Sequence, residues 1–228
     1  MVGLGGVGSW AVEALARSGV AGLVLVDLDH VAESNINRQV QATDTTLGQH
    51  KGQALRERIA DIHPGCDVHV VDAFVEPANW PALLPRPVDA LIDACDQARA
   101  KAALAAWGLA EGVPVVCVGA AGGKREAQRV EVMDLSEATH DPLLASLRQR
   151  LRKEAGASRT GPIGLRCVFS RESVAMPADD ASCETPGPAD GTLNCHGYGS
   201  SVIVTATFGL VAAGEVIAQL LAARGRPA

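Results

Sequence analysis

Three glycines near the start constrain this chain more than any other feature. Gly3, Gly5 and Gly8 form G-x-G-x-x-G, followed by a helical pattern and then a short apolar run. Glycine at the first two positions lets a backbone pass close to phosphate oxygens. The amides of the following helix N-terminus, at its positive dipole end, then point at the anion. The run Leu23-Val24-Leu25-Val26 is what a buried parallel strand requires, and it ends at Asp27. An acid there is placed to hold ribose hydroxyls, at about the 20-residue spacing of a dinucleotide fingerprint. The glycine motif alone also fits a tight turn before a packed helix, so its meaning depends on the residues beyond Asp27.

Those residues include Ser34-Asn35-Ile36-Asn37-Arg38-Gln39 and Gly48-Gln49-His50-Lys51. A site for NAD needs no positive charge just after its ribose acid. Arg38 and Lys51 instead suit a triphosphate, one as a fork of donors and one as a compact point charge. Asp93 and Asp96 follow the run Ala90-Leu91-Ile92, at the carboxyl edge where such sheets bind ligands. A carboxylate there suits magnesium held against ATP phosphates. The set reads as a site for ATP with magnesium.

Residues 26–39, with G-Q-H-K at 48–51 and D-A-C-D at 93–96, resemble the ThiF/MoeB family of adenylating enzymes, relatives of ubiquitin-activating enzymes. Residues 119–123, Asp141-Pro142-Leu143, Cys167-Val168-Phe169-Ser170 and residues 204–209 resemble the branch of that family that dehydrates threonylcarbamoyladenosine in tRNA. The resemblance implies that Gly3, Gly5 and Gly8 form the nucleotide loop and Asp27 is the ribose acid. It gives Asp29 and Asn35 loop-ordering or phosphate-proximal roles, Arg38 and Lys51 the triphosphate, and Asp96 the magnesium. Plainer readings stay open: Asp27 as a strand-end cap, Arg38 paired with Asp29, Lys51 as an ordinary first-turn residue, and Asp96 as the N-cap of the next helix.

Cys195, in Asn194-Cys195-His196-Gly197, matches a thiol of that branch discussed as functional. A thiol at a helix N-terminus can be reactive, but dehydration needs no thioester, so a structural thiol is the competing reading. His196 is either a base or a solvated ring. For tRNA the candidate patch is Lys124, Arg125, Arg148 and Arg152, with Arg129, Arg150 and Lys153 nearby; its alternative is a solvated helix face. The resemblance also implies a homodimer and a sulfurtransferase-type partner protein.

Composition bounds these readings. A net charge of −6 argues against a generally basic nucleic-acid coat, so any RNA surface is local. Hydrophobic residues are 47% of the 228 while aromatics are 3%, so the core is built from Ala, Val and Leu. Six cysteines contain no C-x-x-C, so the structural zinc of sulfur-carrier-activating relatives cannot be assembled in the usual way. No signal peptide precedes the glycine loop, which points to the cytoplasm.

The expected fold is a Rossmann-like α/β domain over 1–228: a mixed, mainly parallel sheet with helices on both faces. Only Met1 and Val2 precede Gly3, so the first strand is expected to be cut short. Helices are expected over 9–18, 51–62, 98–111 and 142–155, and strands over 23–26, 67–71, 90–94 and 114–118. Residues 128–133 alternate and suit an antiparallel strand. Residues 176–191 read as a mobile loop, and 200–224 as a long apolar helix, interrupted by Glu215 and Gln219 before it could span a bilayer. Three alternatives to the dehydratase remain: adenylation of a ubiquitin-like sulfur carrier, an NAD-dependent oxidoreductase, and a non-catalytic nucleotide-binding scaffold.

Overall fold

The computed structural model describes residues 1–173 and 199–224, with the Arg224 side chain left aside. The elements run α1 (Gly8–Arg17), β1 (Gly22–Val26), α2 (Lys51–Ile62), β2 (Asp67–Val71), β3 (Leu91–Asp93), α3 (Ala98–Glu111), β4 (Val115–Val118), β5 (Val130–Asp134), α4 (Pro142–Glu154), β6 (Arg166–Ser170) and α5 (Val202–Arg224). β1 pairs in parallel with β2, and a second set is ordered β3-β4-β6-β5. Val2 joins the two sets by single parallel bridges to Val26 on one side and Asp93 on the other. All pairs are parallel except β5 with β6, where Val132 faces Val168. The alternation of residues 128–133 therefore marks the antiparallel edge.

Strand periodicity divides the core in two. Leu23, Leu25, Ile92, Val116 and Val168 point to one face, packed by apolar residues of α1, α2 and α5. Val24, Val26, Leu91, Cys117 and Phe169 point to the other, covered by α3 and α4. With helices on both faces, the central strands are apolar throughout rather than alternating.

α5 is long and apolar enough to cross a membrane by length and composition. In the fold it is a packing helix: Val204, Phe208, Ala212, Ala213 and Val216 are buried in the α1 and α2 layer. Glu215 pairs with Arg166 at 3.0 Å. Residues 79–84 form hydrogen-bonded turns, and β6 is a strand that periodicity alone leaves unassigned. The segment 176–191 lies outside the described residues.

Candidate nucleotide-binding active site

The carboxyl ends of β1, β3 and β4 open into one cleft of ≈ 760 Å³, lined successively by Asp27, by Ala94 to Gln97 and by Gly119 to Gly122. This is the crevice beyond the strand ends where open α/β sheets bind ligands. Gly3, Gly5, Asp29, Asn35, Arg38 and Lys51 also line it.

The glycine loop is shaped by close approach. Gly3 adopts φ +82°, and a Cβ there would lie 2.9 Å from the Ala94 carbonyl and the Cys95 amide. A Cβ on Gly8 would collide with the Gly3 carbonyl, so the loop closes onto the start of α1 only without a side chain. Gly5 has nothing within 4 Å of that position and presents bare backbone to the cleft. The loop is held by Asp27, whose carboxylate accepts from Leu4 N (2.6 Å) and Asp29 N (2.8 Å).

Two cations face this surface. Lys51, in the first turn of α2, is buried, and its ammonium donates to Asp29 at 2.7 Å. Arg38 is half-buried and donates to the Ser34 carbonyl (2.6 Å) and Asn37 Oδ1 (2.8 Å). Burial draws its pKa down, yet a guanidinium stays protonated at neutral pH. The salt bridge of Asp29 is thus with Lys51, not with Arg38. Asn35 Oδ1 accepts from Ala32 N and closes a short 3-10 turn, a loop-ordering contact. Asp96 lines the cleft, while the N-cap of α3 is Gln97, with no side-chain cap bond.

Asp93 proves to be a different kind of residue from Asp96. It is fully buried and bound to Lys101 at 2.8 Å, the Cys95 thiol at 2.9 Å and the Cys95 amide at 3.1 Å. Burial alone would lower the Lys101 pKa, but the Asp93 carboxylate beside it holds the ammonium above an ordinary lysine. Burial and then Asp93 push the Cys95 and Cys117 thiols well up, so both stay protonated and unreactive.

The opposite side of the cleft comprises Gly119 to Gly122, Pro142, Leu143, Gly199 and Ser200. Asp141 organises it: Oδ1 caps α4 by accepting from Leu144 N (2.9 Å), and Oδ2 accepts from Ala120 N (2.8 Å). The Thr205 hydroxyl, in the same cleft wall, is buried and has no partner among the described residues.

The expected RNA patch is largely redirected. Lys124 is buried, donating to the carbonyls of Ser170 (3.0 Å), Glu172 (2.7 Å) and His140 (3.4 Å). Arg148 is half-buried and braces the Leu135 and Ala138 carbonyls at 3.0 and 2.7 Å. Both spend donors on backbone carbonyls of the fold. Arg125 is exposed, and Arg152 bonds the Ser158 carbonyl at 3.0 Å. Cys195 and His196 lie outside the described residues.

Four contributors receive no site role from the sequence alone. Phe74 is 44% exposed at the cleft wall, a rare aromatic in a chain poor in them. Lys101 falls on the buried face of α3 with Ala105 and Gly108, a charge where helical spacing predicts none. Asp141 carries the signature of an N-cap before proline at the first helical position. His50 stands beside Lys51 with no chemistry its spacing announces.

The model of the ThiF family matches residues 1–227. The chain belongs to the ThiF family. Two relatives of this ThiF protein extend over nearly all of it. The tRNA threonylcarbamoyladenosine dehydratase of Escherichia coli (strain K12) is 40% identical, over 99% of this chain and 87% of the relative. The enzyme of the same name from Haemophilus influenzae is 39% identical, over 97% of this chain and 84% of the relative. The Escherichia coli tRNA N6-threonylcarbamoyladenosine dehydratase solved in complex with ATP superposes with a TM-score of 0.88 at 38% identity, covering 100% of this chain and 86% of that one.

Proposed function

We infer that this ThiF protein is an ATP-dependent tRNA threonylcarbamoyladenosine dehydratase. The observation that carries the reading is the meeting of Gly5, Asp27, Arg38, Lys51 and Asp96 in one cleft, in a chain similar along its whole length to enzymes of that name. A carboxylate is a poor electrophile because its leaving group would be oxide. Here a carboxylate oxygen of the threonylcarbamoyl group attacks the α-phosphorus of ATP, and pyrophosphate leaves. A nucleophile within the same nucleoside then attacks the acyl carbon and expels AMP, which carries away the carboxylate oxygen. The nucleoside has lost one water and closed a ring.

The protein's part is positioning and charge stabilisation. Gly5 gives phosphate oxygens access to backbone, Asp27 faces the ribose, and Phe74 supplies an apolar wall for a base. Arg38 and Lys51 neutralise charge developing on the phosphates. Asp96 is the carboxylate that would hold magnesium, and the ion would supply further charge neutralisation at the phosphates. Arg125 and Arg152 are candidates for tRNA phosphate contacts. The protein acts in the cytoplasm as a homodimer, supported by the exposed apolar edge of α5 at Ile203, Leu210 and Leu221. A sulfurtransferase-type protein is its candidate partner.

The decisive measurement is nucleoside mass spectrometry of tRNA bearing threonylcarbamoyladenosine, after incubation with the protein, ATP and magnesium. The expected result is loss of one water with release of AMP. Arg38→Ala and Lys51→Ala should each lower the rate by about 100-fold. An unchanged nucleoside, with AMP transferred instead to the C-terminal carboxylate of a Gly-Gly-ending carrier protein and pyrophosphate released, would sink this reading in favour of carrier adenylation.

A further inference from the structure

We propose that His50 is a positioning residue for the nucleotide half of the cleft, acting through Lys51 and Asp27. The inference rests on the reading of that cleft as an ATP site. His50 is not among the residues that line it, so whatever it does there is done through others.

Its ring has a hydrogen bond at each nitrogen. Nδ1 accepts from Gly52 N at 3.2 Å, the N-cap contact of α2. A backbone amide can only donate, so Nδ1 carries a lone pair and the proton of the neutral ring sits on Nε2. That nitrogen lies 3.1 Å from the Asp27 carbonyl oxygen and 3.0 Å from Asp72 Oδ1. One imidazole therefore ties the first turn of α2 to the end of β1 and stands against the segment after β2 at Asp72. The three segments deliver Lys51, Asp27 and Phe74 to the cleft.

The ring is seated tightly. Its side chain is 14% exposed, and the His30 ring meets it edge-on at 5.5 Å. A Cβ on Gly52 would lie 2.6 Å from Val70 Cγ1 and 3.1 Å from the His50 ring, so the seat depends on glycine there. The backbone repeats the tie: Lys51 N donates to the Asp29 carbonyl at 3.0 Å, and His30 bridges His50. Few side chains can do both jobs. Asparagine could cap Gly52 but is too short for the Asp27 carbonyl, whereas glutamine reaches outward but forgoes the cap.

The test is calorimetric titration with ATP of the full chain and its His50→Ala, His50→Asn and His50→Gln variants, with melting curves beside it. His50→Ala should weaken ATP binding by about tenfold, and His50→Asn, which keeps the cap and protects the fold, should recover part of it. In a Lys51→Ala background, His50→Ala should change affinity by clearly less than tenfold, because the part of its effect that runs through Lys51 is already lost. Wild-type affinity in His50→Ala, whatever its melting temperature, would overturn the proposal and leave His50 a structural cap. A full tenfold loss in the Lys51→Ala background would overturn it too. If the wild type itself binds no ATP, the nucleotide reading falls and this inference with it, a failure visible before any variant is compared.

Discussion

At the scale of single residues, the site contains two kinds of charge, and only one kind is visible in the sequence. Arg38, Lys51, Asp27 and Asp96 sit next to turn signals and strand ends, where a charge is expected to face a ligand. Asp93 and Lys101 sit among apolar residues, and only the fold shows that they cancel each other beneath the cleft. Their pair has a clear consequence. Lys101→Met leaves the Asp93 carboxylate buried without its cation, which should cost about 3–5 kcal/mol. The double variant Asp93→Asn, Lys101→Met removes both charges and keeps an oxygen for the Cys95 amide, so it should recover most of that loss. Urea denaturation of the three proteins distinguishes the cases; a double variant no better than the single one would mean the pair does more than neutralise itself. Lys124 and Arg148 teach the converse. The sequence offers both to an RNA surface, because it displays charge but not which backbone carbonyls a side chain meets in the fold.

At the scale of elements, helices are legible where propensity, spacing and stop signals agree. α2 and α3 begin and end at the expected 51–62 and 98–111, with Pro64 and Gly112 standing just beyond them. β6 escapes because a five-residue apolar strand has no periodicity of its own, and its partners are set by topology. Contacts between helices are not legible at all. A Cβ on Gly209 would collide with the Val7 carbonyl, so α5 crosses α1 at backbone distance. Glu13 of α1 is buried and bonded to Arg58 of α2 at 2.6 Å and to Arg17 at 2.8 Å. Burial alone would raise its pKa, but the two guanidiniums outweigh it and hold the carboxyl below the ordinary glutamate value. A depressed folded-state pKa adds stability that is fully present above the unfolded value of about 4.3 and lost as pH falls through the folded one. Glu13→Gln should therefore lower the melting temperature by about 3–6 °C at pH 7. The gap should shrink as pH falls below the unfolded value and close only below the depressed folded-state one, where the wild-type carboxyl is protonated as well. Melting curves across pH 3–7 test this, and a gap independent of pH would assign the loss to packing rather than charge.

At the scale of the molecule, the cleft joins two halves that meet at the end of β3. In the function proposed above, one half, from the glycine loop through Asp27, Arg38 and Lys51, takes the nucleotide. The other, residues 119–122 with the start of α4, is then left to the acceptor. Asp141 is the only buried carboxylate that ties α4 to that second wall among the described residues, through Leu144 N and Ala120 N. Neither bond reaches the nucleotide half, so the two functions should separate. In Asp141→Ala the α4 cap is lost, at about 1 kcal/mol, and residues 119–122 are released from their anchor. ATP affinity should stay within about twofold of wild type, because neither the glycine loop nor its cations depend on Asp141. Turnover of modified tRNA should fall by about 100-fold, since displacing an acceptor by an ångström is enough to cost that much. Parallel ATP titration and nucleoside mass spectrometry read the two separately. Equal losses in both would mean that the cleft moves as one body, and that the division between nucleotide and acceptor walls has no energetic reality.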